Sequence, residues 1–205
     1  MPLPLIRAEI DLSAIDHNIK EIRRIVGPDV MILAAVKANA YGHGALRISR
    51  QVIESGVNIL GVARINEGIK LRKAGILAPI IILGNTPSEF AEKLMAHDLT
   101  AVVSSCETAE KYAQAARLQK SKIRVHLKID SGMGRNGFLS DNFRTFDKAD
   151  DAGILAEIES ICRLTGIHVE GIVSHFAGAD AADKSSANRQ FEIFSDLLGQ
   201  IEKAG

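Results

Sequence analysis

The sequence predicts an α/β fold made of successive parallel β-α units. Short runs rich in β-branched residues alternate with amphipathic segments along most of the 205 residues. The runs are mostly apolar throughout rather than alternating, which is typical of strands covered on both faces, as in a parallel sheet or barrel. Six strands are predicted in this way, at residues 30–36, 58–63, 80–83, 100–104, 123–129 and 168–175.

The segments between these strands have the apolar period and the capping residues of helices. In the first helix, Asp11 or Ser13 is suited to cap the start, and one apolar stripe follows, made of Ile15, Ile19, Ile22 and Ile25. Residues 86–89 and 104–107 have the spacing of capping boxes and precede further helices, the first of them over 90–96. Gly75 and Gly166 suit helix C-termini. The last helices are predicted over 154–164 and 186–202, and the acidic stretch 141–151 is predicted as a surface loop.

Composition excludes several classes of protein. Lysine plus arginine equals aspartate plus glutamate at 25 each, so no net charge attracts nucleic acid or an anionic membrane. Apolar residues make up 46% and charged residues 24%, a globular balance that argues against disorder. The apolar runs are too short to span a membrane. Cys106 and Cys162 lack a Cys-x-x-Cys spacing, so we expect reduced thiols in a cytoplasmic protein with no secretory signal.

The length fits one domain over residues 1–205 and leaves two architectures open. An eight-stranded barrel typically needs about 250 residues, more than six β-α units supply. The pattern therefore fits an open doubly wound sheet or a barrel without its last quarter, and the pattern alone does not decide between them.

Lys37 is the first candidate for chemistry, because it ends an otherwise apolar strand run. Burying a lysine there is costly unless its charge is removed, which suits a Schiff-base lysine. The alternative is a lysine whose ammonium reaches solvent at the strand end. Tyr41 adds a hydroxyl four residues later, and Gly42 and Gly44 allow close approach of a ligand.

A glycine-rich segment after the fifth strand is the second candidate. It places three glycines beside Lys128, Asp130 and Arg135. The spacing is not that of a dinucleotide-binding loop. The segment is therefore either a ligand-facing loop or a tight turn with a structural ion pair, and a buried Lys128 needs a partner in either case. His175 ends the sixth strand, and no histidine shows metal-ligand spacing, so no metal is expected.

These segments together resemble the alanine racemases, which are fold-type III pyridoxal-phosphate enzymes. Residues 36–44 resemble the cofactor-lysine motif of that family, and residues 128–135 and 174–177 resemble its later barrel motifs in the same order. Residues 8–12 and 74–84 also match. The resemblance covers essentially the whole chain and implies a (β/α)8 TIM-type barrel truncated to about six units.

The resemblance also implies roles for individual residues. Lys37 would form the aldimine with pyridoxal 5'-phosphate and move the α-proton of the substrate. Tyr41 would contact the phosphate, Arg135 the phenolic oxygen and His175 the pyridine ring, and Leu83 would line the site. Lys128 matches a position that is carbamylated in many members, and a carbamate there would pair with Arg135.

The implied activity is the interconversion of L- and D-alanine for peptidoglycan precursors. In the family, the second acid/base is a tyrosine from the C-terminal domain of a partner subunit, which implies a homodimer or other self-association. The only tyrosines here are Tyr41 and Tyr112. We therefore expect a truncated racemase of low activity and weak cofactor affinity. The alternatives are a serine racemase, a non-catalytic pyridoxal-phosphate-binding barrel that handles the cofactor, and an α/β domain without a site.

Overall fold

The computed structural model describes residues 7–139 and 152–204, and its strands pair in parallel, as predicted. The chain divides into two compact units, one ending at Gly84 and the other beginning at Asn85. The predicted acidic loop at 141–151 lies outside the described residues.

The first unit contains three strands and three helices. In β1, Ala34 aligns with Leu60 of β2, and Leu60 aligns with Ile80 of β3. The elements in chain order are α1 (Leu12–Val26), β1 (Leu33–Ala35), α2 (Ala45–Glu54), β2 (Ile59–Val62), α3 (Ile65–Lys73) and β3 (Ile80–Asn85).

The N-terminal part of the first unit is less buried than its sequence suggests. The Asp11 carboxylate accepts the amides of Ser13 and Ala14, so Asp11 is the cap of α1. Within the predicted stripe, Ile19 is buried, but Ile25 is 73% exposed. The first strand begins at Leu33 rather than at residue 30: Val30 and Met31 are exposed, and only Ile32 of the preceding apolar residues is buried.

The second unit is organised around its longest strand. That strand, β5, pairs in parallel with β4, β6 and β7. The strands are β4 (Thr100–Val103), β5 (Ile123–Asp130), β6 (Phe138–Leu139) and β7 (Ile167–Val173), and the helices are α4 (Ala91–Ala96), α5 (Cys106–Leu118), α6 (Ala152–Cys162) and α7 (Ser185–Ala204). Across the described ranges, no helix combines the length and the apolar character that crossing a membrane requires.

Two predicted capping boxes of the second unit do not form as expected. Pro87 leads into a single 3-10 turn (Ser88–Phe90) without a side-chain cap, and α4 begins only after that turn. The cap of α5 is Ser105 rather than Ser104, since the Ser105 hydroxyl accepts the amide of Thr108. The short strand β6 was not predicted, because two residues give no periodic signal.

Tyr112 of α5 anchors the segment that precedes α4. Its side chain is fully buried, and its hydroxyl donates a hydrogen bond of 2.6 Å to the buried carbonyl of Thr86. Burial raises the pKa of Tyr112 far above its usual value, so the phenol remains a donor. This hydrogen bond holds the segment before α4 in place, a role that the predicted capping box at residues 86–89 does not fill.

Replacing Tyr112 with phenylalanine should lower the free energy of unfolding by about 1–3 kcal/mol, because the carbonyl of Thr86 would be left buried and unpaired. Chemical denaturation measures the change. The matched control is Tyr41→Phe, since Tyr41 is 62% exposed; its effect should stay within about 0.5 kcal/mol. Equal effects of the two variants would contradict the role of the Tyr112 hydroxyl.

Candidate functional site

Lys37 lies at the start of a turn with unusual backbone geometry. The strand β1 ends at Ala35, and the turn Lys37–Tyr41 follows. Residues 38–41 all have φ between 49° and 56°, although none of them is glycine. An L-residue in this left-handed conformation costs roughly 1–2 kcal/mol. Four in succession persist only where the surrounding structure holds them, a pattern that clusters at functional sites.

Backbone hydrogen bonds within the segment hold part of this turn. The Ala40 amide donates to the Val36 carbonyl at 2.9 Å, and the Gly44 amide donates to the Asn39 carbonyl at 2.9 Å. The side-chain oxygen of Asn39 accepts the Ala45 amide at 2.8 Å and thereby satisfies the start of α2. The turn is therefore tied to the helix that follows it.

Glu67, in the first turn of α3, ties the same turn to the next β-α unit. One of its oxygens, Oε1, accepts the Ala38 amide at 2.6 Å. The other, Oε2, accepts the amides of Ala63 at 2.8 Å and Arg64 at 2.9 Å. The sequence analysis missed Glu67. Glu67 lies three residues after Arg64, which directly precedes α3, and this capping-box spacing was the available signal.

The structure brings the side chains of Lys37 and Tyr41 together. Lys37 is half-buried, and its Nζ lies 5.8 Å from the centre of the Tyr41 ring. Leu83 is half-buried in β3 beside Gly61 of β2, where an added Cβ would lie 2.9 Å from carbons of both Leu33 and Leu83. A side chain at position 61 would therefore have to displace the ends of these two leucines.

In the second unit, Asp130 organises the glycine-rich loop. Asp130 is 3% exposed, and its carboxylate accepts four backbone amides. These come from Gly132 at 3.0 Å, Gly134 at 3.0 Å, Arg135 at 2.7 Å and Asn136 at 3.2 Å. The loop is therefore a tight turn, but backbone amides satisfy its carboxylate, where the sequence suggested an ion pair.

These amides determine the protonation of Asp130. Burial alone would raise the pKa of Asp130, but the four hydrogen bonds outweigh burial and hold the pKa below its usual value of 3.8. Gly137 then returns the chain to β6 in close contact with β5, since an added Cβ there would lie 2.4 Å from the Asp130 nitrogen. The side chain of Arg135 remains exposed at this strand end.

Lys128 is a buried cation beside this loop. It is only 8% exposed, and within residues 7–139 and 152–204 its ammonium forms no hydrogen bond or ion pair. Burial lowers the pKa of Lys128, Asp130 acts in the opposite direction, and Arg135 lowers the pKa further. The sequence-based prediction that Lys128 is buried is confirmed, and its amine is partly shifted towards the neutral form.

His175 follows the carboxyl end of β7, next to the end of β5. The hydroxyls of Ser131 and Ser174 lie 2.7 Å apart, and the Ser174 hydroxyl donates to the Ile129 carbonyl. Gln190 of α7 is buried, donates to the His175 carbonyl at 3.1 Å and accepts the Ala177 amide at 2.9 Å. The side chain of His175 is exposed, and Gln190 is a second residue that the sequence analysis missed.

Comparisons with known proteins identify relatives along nearly the whole chain. Residues 10–205 match the family described as alanine racemase, N-terminal domain. Alanine racemase 2 of Caldanaerobacter subterraneus subsp. tengcongensis is 42% identical over 97% of this chain and 49% of the relative. The alanine racemase of Desulforamulus reducens is 44% identical over 97% of this chain and 51% of the relative.

A solved structure supports the same relationship. The alanine racemase of Clostridium difficile 630 superposes with a TM-score of 0.84 at 36% identity, over 92% of this chain and 47% of that one. The similarity confirms the predicted α/β barrel class. The chain spans about half the length of the curated relatives it matches.

Replacing Asp130 with asparagine should lower the free energy of unfolding at pH 7 by about 1–3 kcal/mol, because an amide cannot accept all four N–H groups. The folded pKa of Asp130 lies below 3.8. The stabilisation from the Asp130 carboxylate is therefore present above pH 3.8 and is lost as the pH falls through the folded pKa. Denaturation at pH 7 and at about pH 2 tests both statements.

The matched control for this experiment is Asp180→Asn, an exposed position in the same unit. We expect the control to retain the pH dependence of the unmodified chain, whereas Asp130→Asn should lose part of it. An Asp130→Asn variant as stable and as acid-sensitive as the control would show that the loop does not depend on the carboxylate.

Proposed function

Because the chain belongs to the alanine racemase family, we propose that it carries the catalytic lysine of an enzyme that interconverts L- and D-alanine with pyridoxal 5'-phosphate. The observation that supports this proposal best is the position of Lys37. Its amine follows the carboxyl end of β1, the end at which α/β proteins bind ligands, and its backbone is held in a strained turn.

The chemistry of the available side chains fits this cofactor. The aldehyde of the cofactor reacts with an amine. Its phosphate and its phenolic oxygen accept hydrogen bonds, and its aromatic ring packs against a flat side chain. Lys37 and Tyr41 in the first unit, and Arg135 and His175 in the second, supply these groups, and each of the four follows the carboxyl end of a strand. When bound, the cofactor supplies an electron sink for the charge left on the α-carbon of the substrate.

We assign the roles as follows. Lys37 would hold the cofactor covalently through Nζ and, once released, would take or return the α-proton at that same nitrogen. Tyr41 would donate its hydroxyl to the phosphate, Arg135 would donate to the phenolic oxygen, and His175 would pack against the ring. Leu83 would exclude water on the side of β3.

Inversion requires a second acid/base on the opposite face of the α-carbon. Tyr112 is fully buried and donates to Thr86, so it is not available for this role. Tyr41 lies beside Lys37 and therefore does not supply a separate group. We propose that the enzyme is a homodimer and that the partner subunit provides the second acid/base, from the part of the relatives' length that this chain does not span.

We propose that Lys128 is carbamylated. The reaction joins a neutral amine to carbon dioxide and releases one proton, which leaves an anion. Burial and Arg135 shift Lys128 towards the neutral amine that the reaction needs. The product replaces an unpaired buried cation with an anion close to the Arg135 guanidinium, a favourable charge-assisted pair.

We propose a cytoplasmic location and a role in supplying D-alanine for peptidoglycan precursors. The free thiols Cys106 and Cys162 are consistent with a reducing compartment. The alternatives are a serine racemase and a protein that binds the cofactor without catalysis. The α-proton exchange experiment below distinguishes both from an alanine racemase.

Incubation of the full chain with pyridoxal 5'-phosphate should attach the cofactor to Lys37, because this amine is accessible at a strand end. Borohydride reduction followed by peptide mass analysis locates the attachment. Lys37→Ala should abolish it, whereas Lys73→Ala, an exposed lysine of α3, should leave it unchanged.

The same loaded chain should exchange the α-proton of alanine with deuterium from the solvent faster than that of serine, as measured by NMR. Faster exchange of serine would favour the serine racemase. Attachment without exchange of either amino acid would favour the non-catalytic protein. Absence of attachment to Lys37 would refute the proposed function.

Replacing Lys128 with methionine should raise the free energy of unfolding in carbon-dioxide-free buffer near neutral pH, by about 1 kcal/mol or more, because it removes a buried charge. The pKa of folded Lys128 lies below 10.5. The penalty in the unmodified chain is therefore largest at low pH and disappears as the pH rises through the folded pKa towards 10.5, and the advantage of methionine shrinks with it.

With 13C-labelled bicarbonate, NMR should show a carbamate resonance in the unmodified chain and in the exposed control Lys122→Met, but not in Lys128→Met. Absence of a resonance that depends on Lys128 would contradict carbamylation.

A further inference from the structure

The turn that carries Lys37 is held from outside by a single side chain. Among the described residues, Glu67 is the only one beyond the segment 36–45 whose side chain accepts an amide of the left-handed residues. The other hydrogen bonds of the left-handed residues are internal or run to the start of α2, and the Val36 amide before them donates to the Gly61 carbonyl of β2 at 2.8 Å. Glu67 therefore supplies the side-chain connection between the left-handed residues and the rest of the first unit.

The bond from Glu67 acts on the peptide group next to the catalytic candidate. The Ala38 nitrogen belongs to the peptide that joins Lys37 to Ala38, so its 2.6 Å bond to Oε1 fixes the plane of that peptide. Fixing this plane limits ψ of Lys37, which sets the direction of the Lys37 Cα–Cβ bond relative to that peptide.

The second oxygen of Glu67 anchors the carboxylate itself. Oε2 accepts the amides of Ala63 and Arg64, directly after β2. The strands β1 and β2 are paired immediately before the two turns, with Ala35 opposite Gly61. The carboxylate thus bridges the carboxyl ends of two neighbouring strands.

We infer that Glu67 is a positioning residue for Lys37, and that its two carboxylate oxygens hold the lysine in the direction the cofactor requires. This inference rests on the role proposed for Lys37 above. Three amides donate to Glu67, and both oxygens are needed as acceptors. Glutamine has one acceptor oxygen and an NH2 group that would face an N–H donor, so it cannot satisfy both sides.

The test compares Glu67→Gln with the matched control Glu54→Gln, which removes the same charge from an exposed position on α2. Residue-resolved hydrogen exchange should be about tenfold faster at the Ala38 amide in Glu67→Gln, as expected for an amide that loses its charged acceptor. The amides of β1 to β3 should keep their protection. Reductive attachment of pyridoxal 5'-phosphate to Lys37 should slow by a similar factor, and Glu54→Gln should match the unmodified chain in both measurements.

Glu67→Asp serves as the conservative variant. It keeps both acceptor oxygens on a shorter stem, so we expect it to recover part of the protection at Ala38 and part of the attachment rate. If Glu67→Gln does not fold, the same comparison is made between Glu67→Asp and Glu54→Asp, with a smaller increase in exchange confined to residues 37–44.

The outcomes separate this inference from the proposed function. Unchanged exchange at Ala38, or faster exchange spread over the whole first unit, would overturn the inference, and so would an unchanged attachment rate alongside faster exchange. If the unmodified chain fails to attach the cofactor, the proposed function fails. The role of Glu67 in positioning Lys37 for that cofactor then fails with it, whereas an unchanged attachment rate in Glu67→Gln refutes the inference alone.

Discussion

The hydrogen bond from the Ala38 amide to Glu67 joins the most strained part of the backbone to the most regular part of the first unit. Four consecutive left-handed residues cost roughly 4–8 kcal/mol at 1–2 kcal/mol each. This cost is comparable to the net stability of a whole domain, about 5–15 kcal/mol. A turn of this kind is retained only if its neighbours hold it, and Glu67 connects it to two amides that follow β2. The position of Lys37 follows from this constraint.

The second unit uses the same physical device at its own strand end. Asp130 receives four backbone amides, and Glu67 receives three. Hydrogen bonds to an ionised carboxylate are about twice as strong as those between neutral groups. Each carboxylate holds the backbone through hydrogen bonds from amides, so these bonds do not engage the neighbouring side chains. Lys37 and Arg135 can therefore reach a ligand while the backbone that carries them stays rigid.

The sequence predicted the features that depend on burial and missed those that depend on tertiary hydrogen bonds. The strand at 123–129 was placed to within one residue, because apolar residues recur at every second position along its whole length. The burial of Lys128 followed from its place in that strand. The left-handed turn had little local signal, since of its four residues only Asn39 is of a type that favours positive φ. Local hydrogen bonds hold part of the turn, but its bond to Glu67 joins residues 29 positions apart in sequence. The roles of Lys37 and Arg135 came from the motif resemblance rather than from periodicity.

The different burial of two lysines provides a physical basis for selective chemistry. The pKa of Lys128 is lowered, which favours the neutral, nucleophilic form of its amine. However, Lys128 is only 8% exposed, and carbon dioxide is a much smaller electrophile than an aldehyde carried on a ring. Lys37 is half-buried at a strand end beside the exposed Tyr41 and is open to a larger partner. Under the assignments proposed above, burial would direct the small electrophile to Lys128 and the large one to Lys37, even though the more buried amine has the lowered pKa.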